Sequence, residues 1–307
     1  MRVLNPVSNA EARFYQQQVA ELSGRDVTVR TLPVPGDYVT DSAESRSLLD
    51  YARLIPSVWA NLADFDIVHA NYGLTGPAAL AQRSRPVVLS LWGTDLYGQY
   101  GWLSRRCARL SDAVVVMSEA MAAELDQDCH VVPHGVDIDL FAPMSRADAR
   151  TQLGWDEGSH HVLFPYSTTT DVKDYPRAER VVADASERLD APVQLQVIKG
   201  EPHNRMPLYM NAADSLLLTS KWEGSPNATK EAMACNLPIV ATDVGDIDEQ
   251  LRGVSRSYVC GTDADLTDGL VDVLASGERS DGRDRAREYS LERMGDRLVD
   301  IYDSVLS

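Results

Sequence analysis

Lysine is nearly missing from this 307-residue chain: Lys173, Lys199, Lys221 and Lys230 are the whole set, and every other fixed positive charge is arginine. There are 29 basic against 46 acidic residues, a formal net charge of −17. That balance disfavours nucleic acid as a general partner, because a phosphate backbone is held by positive surface. An acidic, lysine-poor surface is also a lever by which halophiles keep proteins soluble, so a salt-rich cytoplasm is the expected setting. Cysteine is scarce as well. Cys107, Cys129, Cys235 and Cys260 are scattered with no Cys-x-x-Cys pair, which argues against a zinc site or a disulfide framework and for buried, reduced thiols. Runs of about 18 apolar residues, the length that spans a bilayer, do not occur. The opening "MRVLNPVSNAEARFYQQ" has no apolar core of a secretory signal, and a cytoplasmic location is the expectation.

What is present is ordinary for a globular protein, at 44% hydrophobic and 24% charged residues, and the length suits two domains. Short β-branched runs alternate with helix-compatible segments. In the first half they are "RVLNPV", "DVTVRTL", "DIVHAN", "PVVLSL", "DAVVVM" and "HVVP". After a pause near residue 141 come "HVLFPYS", "VQLQVIKG", "DSLLLTS", "LPIVATD" and "RSYVC". Strands separated by helices imply βαβ units and parallel sheets. The reading is an α/β protein of two Rossmann-like doubly wound domains facing each other across a cleft. One domain is expected over 1–140 and the second over 141–285, with the end of a 282–306 helix (286–307) packing back across the junction. Such sheets take ligands at the carboxyl ends of their strands. The loops "NYGLTG" (71–76), "WGTDLYG" (92–98), "HGVD" (134–137) and "EGSPN" (223–227) fall at such ends.

The last of these loops opens the segment that carries most information, "SKWEGSPNATKEAMACNLPIVATDVGD" (220–246). Ser225 reads as an N-cap and Pro226 as the first residue of a helix. A helix N-terminus presents unpaired N–H groups and the positive end of its dipole, a cradle for phosphate, and Gly224 allows close backbone approach. Glu231 lies about 7.5 Å further along the helix axis at 1.5 Å per residue; Glu223 precedes the helix. The two carboxylates can therefore address the two ends of an elongated ligand whose diphosphate lies at the helix start. Carboxylates accept strong hydrogen bonds from hydroxyls, so a sugar at one end and a ribose at the other would fit. The four lysines all lie in this second half, as an anionic ligand there would favour.

"EGSPNATKE" followed by "LPIVATDVGDIDE" resembles the donor-site signature of retaining family-4 glycosyltransferases of the GT-B fold. The likeness extends to "VVPHGVDIDLFAP", "PLYMNAADSLLLTS", "HANYGLTG" and "LSLWGTDLYG", and so covers most of the chain. It implies that Glu231 holds the ribose hydroxyls of a nucleotide sugar (a UDP, GDP or related donor). Glu223 would contact the donor sugar, with Gly224, Ser225, Pro226 and Asn227 around sugar and phosphates. Lys173, in "TTTDVKDYP", matches the lysine that grips the diphosphate, and Glu249 matches the last glutamate of the signature. Activity is expected to need no divalent metal and no bound cofactor. The chain departs from the pattern at Ser167, where the family has an arginine; Thr168 to Thr170 and Lys199 are the available substitutes. Thr94, Asp95 and His134 are the acceptor-side candidates, Thr94 and Asp95 being equally readable as a turn and His134 as a hinge residue. The acceptor class implied is a glycan or a lipid-linked glycan. The segment 102–110, with Trp102, Leu103, Leu110, Arg105, Arg106 and Arg109, reads as a contact for anionic lipid or as an ordinary arginine-lined helix face. His69 reads as a core histidine, and His160 and His161 as surface residues. A nucleotide-sugar epimerase of the same fold and a catalytically silent nucleotide-sugar binder are the alternatives. The salt reading has a direct check: the melting temperature should rise with KCl, and a protein fully stable and active at low salt would contradict it.

Overall fold

The computed structural model describes residues 1–36 and 46–307. Its chain divides into two compact units, one of Met1–Gly135 with Leu291–Ser307 and the other of Val136–Ser290. In the first, the β-branched runs form β1 (Arg2–Val7), β2 (Thr28–Pro33), β3 (Ile67–Asn71), β4 (Val87–Ser90), β5 (Ala113–Val116) and β6 (His130–Val131). They pair in parallel in the order β2-β1-β3-β4-β5-β6. Residues of β3, β4 and β5 are buried on both faces, which is why these strands read as continuous apolar runs and not as alternating ones.

The second unit contains β7 (His160–Phe164), β8 (Val193–Val197), β9 (Ser215–Leu218), β10 (Ile239–Thr242) and β11 (Tyr258–Cys260). These strands are parallel in the order β11-β10-β9-β7-β8. After β8 the chain returns past β7 to lay down β9 on its other side. The β7/β9 junction is therefore a topological switch point, the place at which open α/β sheets take ligands.

Two sequence expectations change here. The helix read over 282–306 is broken into Gly282–Ala286, a 3₁₀ turn at Arg287–Tyr289 and a final helix at Leu291–Leu306. The Tyr289 carbonyl accepts from the Val136 N–H at 2.8 Å, so the break serves the point where the chain enters and leaves the second unit side by side. The final helix then joins the core of the first unit through Met294, Leu298, Ile301 and Tyr302. His161, expected at the surface, is fully buried on β7. One ring nitrogen lies 2.8 Å from the Asp156 carbonyl, the other 2.9 Å from the Gln196 amide, and Trp155 stacks on the ring. The thiols are free as expected, with Cys107, Cys235 and Cys260 buried and Cys129 only partly so. Helix Gly101–Ala108 presents Trp102 and Arg106 outward, with Arg109 and Leu110 exposed just beyond it; Arg105 is engaged by Glu124 at 3.1 Å. Among the described residues no helix is long and apolar enough to cross a membrane.

His69 is the core histidine the sequence suggests. It is fully buried on β3, with Nδ1 2.6 Å from the Tyr302 hydroxyl and Nε2 2.7 Å from the Ser90 hydroxyl. Burial holds its pKa at about 3, below the ordinary 6.5. On acidification the unfolded chain therefore binds the proton first, and stability is lost as pH falls from 6.5 towards 3, at up to about 1.4 kcal/mol per pH unit. The stability advantage of the wild type over His69→Gln, measured by urea unfolding, should shrink between about pH 7 and about pH 5. A difference that stays constant over that range would contradict the neutral, buried imidazole.

Candidate active site

The switch point of the second unit brings together Lys173 and Glu223, two of the residues singled out in the sequence. β7 ends at Phe164, and the loop after it carries Tyr166, Ser167 and a 3₁₀ turn at Asp171–Lys173. β9 ends at Leu218, and its loop runs through Thr219, Ser220 and Glu223 to the helix Asn227–Ala234. Three hydrogen bonds stitch the two loops together. The Lys221 N–H donates to the Val172 carbonyl at 2.8 Å, and the Thr219 hydroxyl reaches the carbonyls of Lys173 and Asp174 at 3.0 and 3.1 Å.

That stitching delivers Lys173 to Glu223. The ammonium Nζ lies 2.5 Å from Glu223 Oε1, and the Ser220 hydroxyl donates to the same oxygen at 2.7 Å. Both side chains are largely shielded, at 16% and 12% exposure. Lys173 also lies 4.1 Å above the centre of the Tyr166 ring, a cation–π contact. Burial raises the Tyr166 phenol well above its ordinary pKa of 10, and the negative charges of Glu223 and Glu231 add to the shift. Tyr166 therefore has both glutamates as electrostatic neighbours. Glu231, in the second turn of the helix, has Oε1 2.7 Å from Nε2 of His203.

The helix itself differs from expectation at its start. Pro226, in extended geometry, takes the cap position and the helix begins at Asn227, with no side chain capping it. Ser225 is not an N-cap because its hydroxyl is turned to the segment after β10, where Gln250, on the short helix Ile247–Leu251, donates to it at 3.3 Å. The loop between β10 and that helix packs against the 223–226 segment. Gly245 has a φ of +63°, and a Cβ on it would stand 2.6 Å from the Gly224 carbonyl oxygen, so only glycine fits the contact. Gln250 also donates to Asp246 Oδ1 at 2.7 Å.

Lys230, fully buried, lies among these groups. Burial lowers its pKa to about 8 against the pull of Asp246 and Glu231, and burial raises that of Asp246 to about 6 against the pull of Lys230. Each group thus stabilises the other's charge in a place that water does not reach. Lys199 stands apart and exposed beyond the end of β8. Ser167 Oγ is 2.8 Å from the Thr169 hydroxyl, while Thr168 to Thr170 are exposed. Glu249 is on the short helix Ile247–Leu251, where its carbonyl accepts from Arg285 at 3.0 Å.

In the first unit, Asp95 is turned inward. It is 2% exposed and accepts the N–H groups of Gly73, Trp92 and Gly93 at 2.7, 2.9 and 2.9 Å. Burial pushes its pKa up to about 6 despite those donors. Its geometry is that of a clamp holding the loops after β3 and β4 together. Thr94 is exposed, with Oγ1 3.4 Å from the Tyr72 hydroxyl. His134 is mostly buried and stacks on Phe14, centroids 4.0 Å apart, and Trp92 meets both rings edge-on. Tyr72 joins this aromatic group, 5.7 Å from Trp92, and has a φ of +107°. A bulky residue rarely holds such a backbone, and then mainly at functional or tightly constrained points.

The sequence reading missed Tyr166, Ser220, His203, Lys230, Asp246 and Gln250. Only Lys230 carried a signal, as a rare lysine inside the key segment. Among the described residues no group of three or more His, Cys, Asp or Glu is arranged to hold a metal ion.

Two parallel-sheet Rossmann-like units, with polar loops at the switch point, define the architecture of the GT-B glycosyltransferases. Comparison bears this out: the fold is similar to that of sucrose-phosphate synthase from Thermosynechococcus elongatus, with a TM-score of 0.81, 15% identity and 99% of each chain covered. It is also similar to Anabaena HepE solved in complex with UDP, at a TM-score of 0.71, 15% identity and 99% and 100% coverage. A family model described as Glycosyltransferase Family 4 matches residues 10–140, and one described as Glycosyl transferases group 1 matches residues 175–276. The chain belongs to the family-4 glycosyltransferases. Among curated relatives, the lipopolysaccharide core biosynthesis mannosyltransferase LpsB of Rhizobium meliloti is 26% identical over 67% of this chain and 69% of its own length.

Proposed function

We propose that this glycosyltransferase takes a sugar from a nucleotide-diphosphate sugar and transfers it, with retention of anomeric configuration and without a divalent metal, to a glycan or lipid-linked acceptor. The observation that carries the reading is the Lys173–Glu223 contact at the β7/β9 switch point, beside an uncapped helix N-terminus. HepE, a fold neighbour, is described in complex with UDP, and LpsB is named a mannosyltransferase of lipopolysaccharide core; both support the substrate classes.

On this reading the diphosphate lies against the first N–H groups of helix Asn227–Ala234, where the dipole favours negative charge. Lys173 exchanges Glu223 for a phosphate oxygen, and the freed Glu223 oxygen accepts a hydroxyl of the donor sugar. Glu231 accepts the ribose hydroxyls, and Gly224, Ser225, Pro226 and Asn227 line the path between the two. The acceptor oxygen attacks the anomeric carbon on the face from which the diphosphate departs. The C–O bond to the diphosphate breaks as the new one forms, and the acceptor's proton passes to a departing phosphate oxygen. Charge growing on that diphosphate is what Lys173 and the helix start stabilise, and electrostatic stabilisation of this kind is the principal catalytic device available to the site. Lys199, exposed at the end of β8, is a secondary cation for the diphosphate; Thr94 and His134 are acceptor-side contacts, with Asp95 acting through the loops it clamps.

Incubation with a panel of UDP- and GDP-sugars tests the reading. Release of free nucleotide diphosphate, retained in the presence of EDTA, is the expected result. An isomerised sugar would make the protein an epimerase, and binding without turnover a silent relative. Glu231→Ala should weaken donor binding roughly 10- to 100-fold, the cost of hydrogen bonds to a charged acceptor; unchanged affinity would contradict the ribose assignment.

A further inference from the structure

We propose that His203 is the positioning residue that sets the plane of the Glu231 carboxylate, and that it thereby governs discrimination between ribo- and 2′-deoxyribonucleotides. The inference rests on the donor-site reading above and assigns a role to a residue outside the signature segment.

Each carboxylate of the pair is held through its Oε1. Glu223 is held by Lys173 from another loop and by Ser220 from its own; Glu231 is held by His203, 28 positions earlier in the chain and 2.7 Å away. That is the length of a charge-assisted hydrogen bond. His203 opens a 3₁₀ turn, His203–Arg205, that follows the β8 strand and leads into helix Met206–Ala212. Pro202 fixes the backbone into the turn, and the imidazole lies 5.0 Å from the ring of Phe141, which is fully buried. The histidine is therefore seated on the core of its own unit and is only 19% exposed. It can act as a fixed post.

A glutamate side chain needs such a post when its task is to grip a vicinal diol. Its last torsion is broad and has no sharp rotamer, so an untethered carboxylate rotates freely about it. Two hydroxyls fixed on a ribose ring demand one plane. An N–H bond to Oε1 selects that plane and leaves acceptor capacity, since each carboxylate oxygen offers two lone-pair sites. With the plane set, both hydroxyls count and loss of the 2′-hydroxyl is felt in full. With the plane released, the carboxylate follows whichever single hydroxyl remains, and the preference fades. A histidine that merely packed the turn would alter affinity for both nucleotide types equally.

The test is calorimetric binding of UDP, GDP and their 2′-deoxy counterparts to the full chain, as wild type, His203→Ala and His203→Gln. The wild type is expected to prefer the ribo form roughly 10- to 100-fold, the value of one hydrogen bond to a carboxylate. His203→Ala should bring that preference to within a few-fold of unity, and His203→Gln, which retains an N–H donor at similar reach, should keep most of it. A preference unchanged in His203→Ala would overturn the assignment, as would an equal loss of affinity for both forms in both variants. If the wild type bound none of the four nucleotides, the donor-site reading itself would fall, and this inference with it.

Discussion

The arrangement depends on a single constraint: β7 and β9 are sheet neighbours although β8 lies between them in the chain. Their loops must share the space above the strand ends, and the bonds from Thr219 and Lys221 to the 172–174 backbone fix how they share it. Lys173 and Glu223 meet because of that stitching. A half-buried ion pair of this sort is a weak stability device, since desolvation offsets most of the Coulombic gain. Its value lies in keeping two opposite charges ready, each able to change partner when an anion or a hydroxyl arrives.

The chain treats its carboxylates in two distinct ways. Asp95 is surrounded by backbone N–H groups whose positions depend on it, and giving them up would leave buried donors unsatisfied. Glu223 and Glu231 are held by side chains, from Lys173, Ser220 and His203, and side chains can be traded for ligand groups without opening the backbone. The contrast separates a structural acid from exchangeable ones more clearly than residue type does. Lys230 and Asp246 occupy a third position, mutually compensated charges beneath the loop, where Gln250 ties Asp246 to Ser225. In a chain with four lysines, three (Lys173, Lys221 and Lys230) belong to these loops and the helix after them.

Much of the fold was legible because β-rich runs of four to eight residues leave little room for another reading; every strand of both sheets coincides with a run picked out from the sequence, β2 and β7 each reaching one residue beyond it, at Pro33 and His160. Glu223, Glu231 and Lys173 were legible through the resemblance and through the rarity of lysine. What escaped was whatever sheet order creates. His203 follows β8 and meets a glutamate from the helix after β9, a contact that no local pattern encodes. Ser225 was misread because a serine before proline favours an N-cap locally, while its hydroxyl is taken by Gln250 from a short helix 25 residues on. Asp95 could not be resolved from "WGTDLYG", since a turn aspartate reads alike whether it faces solvent or a neighbouring loop. His161 was missed because its burial comes from Trp155 and Gln196, brought to it by packing and by the pairing of β7 with β8.

The most direct test is a crystal structure of the protein soaked with a nucleotide-diphosphate sugar. The account predicts the diphosphate against the N–H groups at the start of helix Asn227–Ala234, with Lys173 moved from Glu223 onto a phosphate oxygen. A diphosphate bound elsewhere, or a Lys173–Glu223 contact that persists unchanged beside the bound donor, would contradict it.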